Sequence, residues 1–159
     1  MASAAVAQAV RLGPSYGSLA AIRVNGARFR NAKDLGFLVD ALREAGLPEW
    51  PFNFSADEND RLNGEEIARL VLGNTLQGRI EPGLPTMMQI GQDGKTAFRS
   101  SSQFLTETVF VDRDQLCEKS ENIFGLADCG PVYKRKSADG GPSYAYVNSS
   151  KVFYFSPVK

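Results

Sequence analysis

Chemistry at neutral pH has few candidate carriers in this chain of 159 residues, because histidine is absent. Its absence removes Ser-His-Asp and Cys-His catalysis, and most zinc sites with them. Two cysteines remain, Cys117 and Cys129, twelve positions apart around 118–128. They are either a disulfide closing a small loop between two strands, contributing about 2–3 kcal/mol, or a pair of reduced, partly buried thiols. Thiol redox catalysis does not fit: there is no C-x-x-C, and no histidine or helix start nearby to lower a thiol pKa. The acids fall in small groups: Glu65 with Glu66; Asp57, Glu58 and Asp60; Asp112 and Asp114 flanking Arg113. Carboxylates suit hard cations, but none of these groups has EF-hand spacing. The plainer reading is helix capping for Glu66 and solvated turns for the others. No phosphate-cradling glycine loop occurs. No catalytic, metal or cofactor-binding residue is therefore assigned, and no cofactor is expected.

Aromatic residues offer a second kind of chemistry. Tyr144, Tyr146, Phe153, Tyr154 and Phe155 concentrate near the end of the chain. They are either core packing or the lining of a ligand pocket at a barrel mouth. Trp50, Phe52 and Phe54 alternate in a connector, as anchors of that segment or as a platform for a peptide or ligand.

Charge narrows the partners. Lys plus Arg equals Asp plus Glu, 18 each, which gives the chain no electrostatic reason to seek nucleic acid or an anionic membrane. The run Lys134-Arg135-Lys136 reads as a solvated strand or turn. No apolar run approaches the ~20 residues of a membrane-spanning helix. At the N-terminus Arg11 follows the Ala-rich stretch instead of preceding it, the reverse of a secretion signal.

The elements that must position these groups come in two halves. A helix is predicted over 4–12, with Val6 and Val10 on one face and Gly13-Pro14 as its stop. A second is predicted over 32–45, with Asn31 as N-cap, Asp34 in the first turn, Leu35, Leu38, Val39, Leu42 and Ala45 as the apolar face, and Gly46 with Pro48 beyond. A third, short helix starts at the Asn63–Glu66 capping box, carries Ile67, Leu70 and Val71, and stops before Gly73. Beyond it the period changes to two. Strands are predicted over 75–80, 86–90, 96–100, 104–111, 115–119, 132–136, 143–147 and 152–156, with hairpin signals at Asp93-Gly94 and Asp139-Gly140. The expected fold is α+β: short N-terminal helices (1–62), then an antiparallel β barrel or sandwich of about eight strands (63–159) opened by the short helix.

The stretch Ala5-Val6-Ala7-Gln8-Ala9-Val10-Arg11-Leu12-Gly13-Pro14-Ser15-Tyr16 resembles the end of a last tetratricopeptide repeat. Ser18-Leu19-Ala20-Ala21-Ile22-Arg23, Phe29-Arg30-Asn31 and Leu42-Arg43-Glu44-Ala45-Gly46-Leu47-Pro48-Glu49 resemble the tail after such repeats in bacterial class III adenylate/guanylate cyclases. The remainder, with Gly64-Glu65-Glu66-Ile67, Leu72-Gly73-Asn74-Thr75, Asp93-Gly94, Asp114-Gln115-Leu116-Cys117 and Cys129, is similar to a small bacterial β domain of unknown role whose relatives are often exported. Glu107-Thr108-Val109 stands where those relatives often have Gly-x-Trp.

The resemblance implies a non-catalytic, C-terminal regulatory or interaction region of a protein that converts ATP to cyclic AMP and pyrophosphate. The implied partner is the rest of the parent chain, its repeat array and cyclase domain, or another protein. The alternative expectation is a small-ligand-binding or inhibitor-like β module. The cyclase resemblance favours the cytoplasm; a bonded Cys117–Cys129 would favour the periplasm.

Overall fold

The structure is a computed structural model and describes residues 4–14, 17–26, 31–100, 104–120, 127–136 and 140–158. The side chains of Ala9, of 98–100, of 104–106 and of Ser120 lie outside that description, as does Asp139 of the expected Asp139-Gly140 turn. The chain divides into two compact units, 1–55 with 147–152 and 56–146 with 153–159.

The first unit holds three helices: α1 (Ala4–Leu12), α2 (Leu19–Gly26) and α3 (Ala32–Glu44). Val6, Leu19, Val39 and Leu47 form its buried cluster, with Val10, Ile22, Leu35, Leu42 and Ala45 packed around them. The 3- and 4-residue spacing in α3 thus turns one stripe inward, as the sequence predicts. Asn31 caps α3 through its side chain, which accepts from Lys33 N at 3.0 Å.

Helix α2 was not predicted. It is short and Ala-rich, and its start is made by tertiary contacts: Leu19 N and Ala20 N donate to the carbonyls of Pro48 and Glu49 at 2.9 and 3.0 Å. Ser18, fully buried, accepts from Ala21 N. These bonds satisfy donors that a helix N-terminus leaves open. Trp50, Phe52 and Phe54 are each half-buried.

The second unit is a nearly closed antiparallel barrel. Its strands are β1 (Thr75–Ile80), β2 (Leu84–Ile90), β3 (Lys95–Ser100), β4 (Phe104–Asp112), β5 (Gln115–Ser120), β6 (Ala127–Gly130), β7 (Val132–Lys134), β8 (Tyr144–Val147) and β9 (Val152–Val158). Their order in the sheet is β6-β5-β4-β3-β2-β1-β9-β8-β7. The two end strands are therefore neighbours in sequence, separated by Pro131 alone. Stepping outward from β1 through antiparallel neighbours, β6 and β7 run in the same direction. They are two halves of one stave, the first paired with β5 and the second with β8. Nine strands thus make eight staves of an up-and-down barrel, the size that holds a packed core or one small ligand.

Contacts among the described residues close the seam. Leu62 N donates to Val132 O at 2.8 Å, next to an antiparallel bridge between Arg61 and Tyr133. Tyr146 Oη reaches from β8 to Asp128 O on β6 at 3.3 Å. Gly64 N donates to Asp114 Oδ1 at 2.8 Å, tying the strap 61–64 to the β4–β5 turn. Gly64 admits no side chain, since a Cβ there would lie 2.1 Å from Arg113 O.

The strap leads into α4 (Gly64–Val71), which starts with the predicted capping box: Glu66 N donates to Asn63 Oδ1, and Asn63 N to Glu66 Oε2, each at 3.0 Å. Helix α4 buries Ile67 and Val71 completely in one core with Leu76, Met88, Ile90, Val109, Leu116, Val132, Tyr146, Phe153 and Phe155. It therefore packs into the barrel core. Burying two such side chains contributes roughly 3–6 kcal/mol before entropy is counted.

Candidate polar site in the barrel wall

Cys117 on β5 stands directly opposite Cys129 on β6, Cα atoms 4.0 Å apart, with the sulfurs at disulfide distance, 2.04 Å. Of the two readings of the cysteines, the bonded one holds in this structure. A closed loop of this length contributes about 3 kcal/mol through the unfolded chain.

The same register has a consequence on the other face of the sheet. Side chains alternate along a strand, so the neighbours of Cys117 and Cys129 point the opposite way. Leu116 and Val109 lie in the barrel core, and Val109 pairs with Glu118, which fixes Glu118 as an interior residue. Asp128 is its cross-strand partner. Directly opposed side chains have Cβ atoms about 5 Å apart. Glu118 is only 8% exposed and Asp128 is half-buried.

The polar strip continues across the wall. Glu107 on β4 is diagonal to Glu118, a spacing of about 7–8 Å. Opposite Glu107 stands Thr96 on β3, 3% exposed, which donates its hydroxyl to Glu107 O at 3.0 Å and accepts from Glu107 N at 3.2 Å. Thr96, Glu107, Glu118 and Asp128 therefore form one inward-facing polar diagonal on four adjacent strands. Among the described residues, no three acidic or cysteine side chains converge closely enough to hold a metal ion.

The aromatic residues singled out in the sequence are divided by the structure. Tyr146, Phe153 and Phe155 are core, at most 1% exposed, and Phe153 stacks on Phe155 with ring centroids 5.1 Å apart. Tyr144 stacks on Phe155 at 5.7 Å and lines a surface cleft of about 290 Å³ with Leu62, Glu66, Arg69, Leu70 and Lys134. The charges of that cleft are used by each other and by α4: Lys134 Nζ meets Glu66 Oε1 at 3.0 Å, and Arg69 meets Glu65 at 3.2 Å. Asn63 and then Lys134 hold the Glu66 carboxyl below the usual range. Tyr154 faces outward beneath two guanidinium groups, Arg135 at 4.4 Å and Arg79 at 5.4 Å from the ring centroid. Burial pushes its phenol up, helped by Glu81 and opposed by the two arginines. The five therefore do not line one pocket: three are core, one lines the cleft and one faces out.

Three of the acids read from the sequence carry structural hydrogen bonds. Glu58 accepts from Tyr133 Oη at 2.9 Å, Asp57 caps the short 3-10 turn Glu58–Asp60, and Asp114 holds Gly64 N. Lys134, Arg135 and Lys136 are exposed. Glu107, Glu118 and Asp128 were not singled out. Their signal was present: 117 + 129 equals 118 + 128, so an antiparallel Cys117–Cys129 pair must also set Glu118 against Asp128.

No protein-family model, curated protein or solved structure matches this chain.

Proposed function

We propose that this chain is a non-catalytic binding module whose barrel takes a small organic cation with spaced amino or ammonium groups. The observation that carries this reading is the buried Glu118 facing Asp128 across one rung of the inner wall, with Glu107 diagonal to it. A cation there pairs with carboxylates that stand on one rung, and a ligand that binds only the folded chain stabilises it. The Thr96 hydroxyl is engaged by the Glu107 backbone as donor and as acceptor, which favours a binding role over nucleophilic catalysis by it.

Isothermal calorimetry with spermidine, an aminoglycoside-type amino sugar and a matched set of small carboxylates tests this. Saturable binding of a cation that weakens at least tenfold in Glu118→Gln is expected. Binding confined to the carboxylates, or unaffected by Glu118→Gln, sinks it.

A second reading concerns the helical unit: the chain as the C-terminal regulatory or interaction region of an adenylate or guanylate cyclase, docking on the parent's repeat array. It is favoured by two large apolar side chains left outside the helical cluster, Leu12 at 75% and Phe37 at 78% exposure. Repeat arrays are extended through such helix faces. Co-expression with a tetratricopeptide array and its cyclase domain is the test; cyclase output indifferent to Phe37→Ser and to removal of 1–55 counts against it.

A further inference from the structure

We propose that the outer face of the barrel carries a second site, formed by Arg79, Arg135 and Tyr154, which takes the phosphate or sulfate group of a small soluble ester. Strand register builds one side of it. Arg79 on β1 stands directly opposite Tyr154 on β9. Their side chains therefore leave the same face of the sheet, with Cβ atoms about 5 Å apart. Phe153 and Phe155 are core, so alternation along β9 turns Tyr154 outward, and Ser156 with it. The strands meet closely here: a Cβ on Gly78 would lie 1.8 Å from Tyr154 O, so only glycine fits next to Arg79. Arg135 arrives from the other side. It follows β7, and its backbone N–H donates to Ser143 O at 2.8 Å. Ser143 N in turn donates to Ser156 Oγ at 3.0 Å, which holds this stretch alongside β9. The Arg135 guanidinium thus reaches 4.4 Å from the Tyr154 ring centroid, and that of Arg79 reaches 5.4 Å. The run Lys134-Arg135-Lys136 is divided by this arrangement: Lys134 turns to Glu66 on α4, and Arg135 joins an arginine from the start of the barrel.

Two guanidinium groups gathered on one ring make an anion site. The ring attracts each cation through its π face and consumes none of its N–H donors. Arg135 gives one of its donors, at Nη1, to Pro142 O at 3.5 Å. A carboxylate spends both oxygens on one guanidinium fork, whereas a tetrahedral oxyanion has oxygens for two forks at once. That is the reason to assign a phosphate or sulfate group. One acid stands near: burial and then Glu81 push the Tyr154 phenol up, against the two arginines. Two cations beside one carboxylate leave a local positive charge on a chain that is neutral overall. A field so confined favours a single ester over an extended polyanion or an anionic bilayer. The site lies outside the barrel and does not depend on the cation reading of its interior.

Nuclear magnetic resonance of the arginine Nε–H groups on the full chain, titrated with phenyl phosphate, is the experiment. Sodium acetate and phosphatidylcholine vesicles containing phosphatidic acid are the parallel arms. Saturable shifts at Arg79 and Arg135 with phenyl phosphate are expected, with acetate binding about tenfold more weakly. Arg79→Gln and Arg135→Gln, both at exposed positions, should each weaken phenyl phosphate about tenfold. Shifts at neither arginine, an equal response to acetate, or binding seen only on the vesicles overturns the site. Affinity unchanged in both glutamine variants overturns it as well; where a variant does not fold, the titration of the native chain decides alone.

Discussion

Glu118 faces Asp128 across the inner wall of the barrel because Cys117 faces Cys129 across the outer one. One register fixes both pairs. A covalent bond on one face thereby fixes two carboxylates on one rung of the other.

The Glu118–Asp128 rung predicts a variant defective in binding. Asp128→Asn removes one of its two carboxylates at nearly constant size. Without ligand the melting temperature should move by no more than about 3 °C, while affinity for spermidine falls about tenfold. Differential scanning calorimetry reads the first and titration calorimetry the second. A lower melting temperature with binding intact would mean that Asp128 serves only to keep the strand in place.

The strap at the seam should tolerate no side chain at Gly64. In Gly64→Ala the new Cβ meets Arg113 O, which belongs to the turn carrying Asp114, the partner of Gly64 N. A loss of more than about 2 kcal/mol is expected in urea unfolding. Gly36, where a Cβ would meet nothing within 4 Å, is the control: Gly36→Ala in mid-α3 should stabilise by roughly 0.5–1 kcal/mol.

Helix α4 depends on its cap. Asn63→Ala should cost about 1 kcal/mol. Glu66 adds an acid dependence, because Asn63 N and Lys134 keep its carboxyl ionised below the usual range. A carboxyl depressed in the folded chain contributes fully above its unfolded value, and that contribution disappears as pH falls through the depressed one. Glu66→Gln should therefore flatten the acid limb of the stability curve. An unchanged limb would assign acid sensitivity to other carboxylates.

Tyr133 predicts an alkaline limb. Its phenol, 3% exposed, is pushed up to about 12, first by burial and then by donation to Glu58. A phenol raised in the folded chain stabilises fully below its ordinary value near 10 and loses that contribution as pH rises to about 12. Absorbance titration should show late-ionising tyrosine, from Tyr154 as well as Tyr133, and Tyr133→Phe should remove the component near 12. Loss of a normally titrating tyrosine instead would mean that the hydroxyl does not meet Glu58.

Much of this architecture was legible in the residues. The stripe Leu35, Leu38, Val39, Leu42 and Ala45, the Asn63–Glu66 box and the alternation through 75–80 and 86–90 are local patterns, and local periodicity is what helices and strands obey. Two elements were not legible. Helix α2 needs Pro48 and Glu49 to satisfy its first donors. Strand β6, Ala127-Asp128-Cys129-Gly130, has no β-branched or aromatic residue and exists as the partner of β5.

The sequence by itself determined the helix-then-strand order, the absence of histidine chemistry and the one candidate covalent pair, because these depend on residue types and near neighbours. Tertiary structure alone decided which aromatic residues are core, that nine strands close as eight staves, and that Glu107, Glu118 and Asp128 share an interior face. Those facts depend on strand pairing and on how the sheet curls back to its own edge at Pro131, and pairing distant segments is a property of the whole folded unit rather than of any stretch within it.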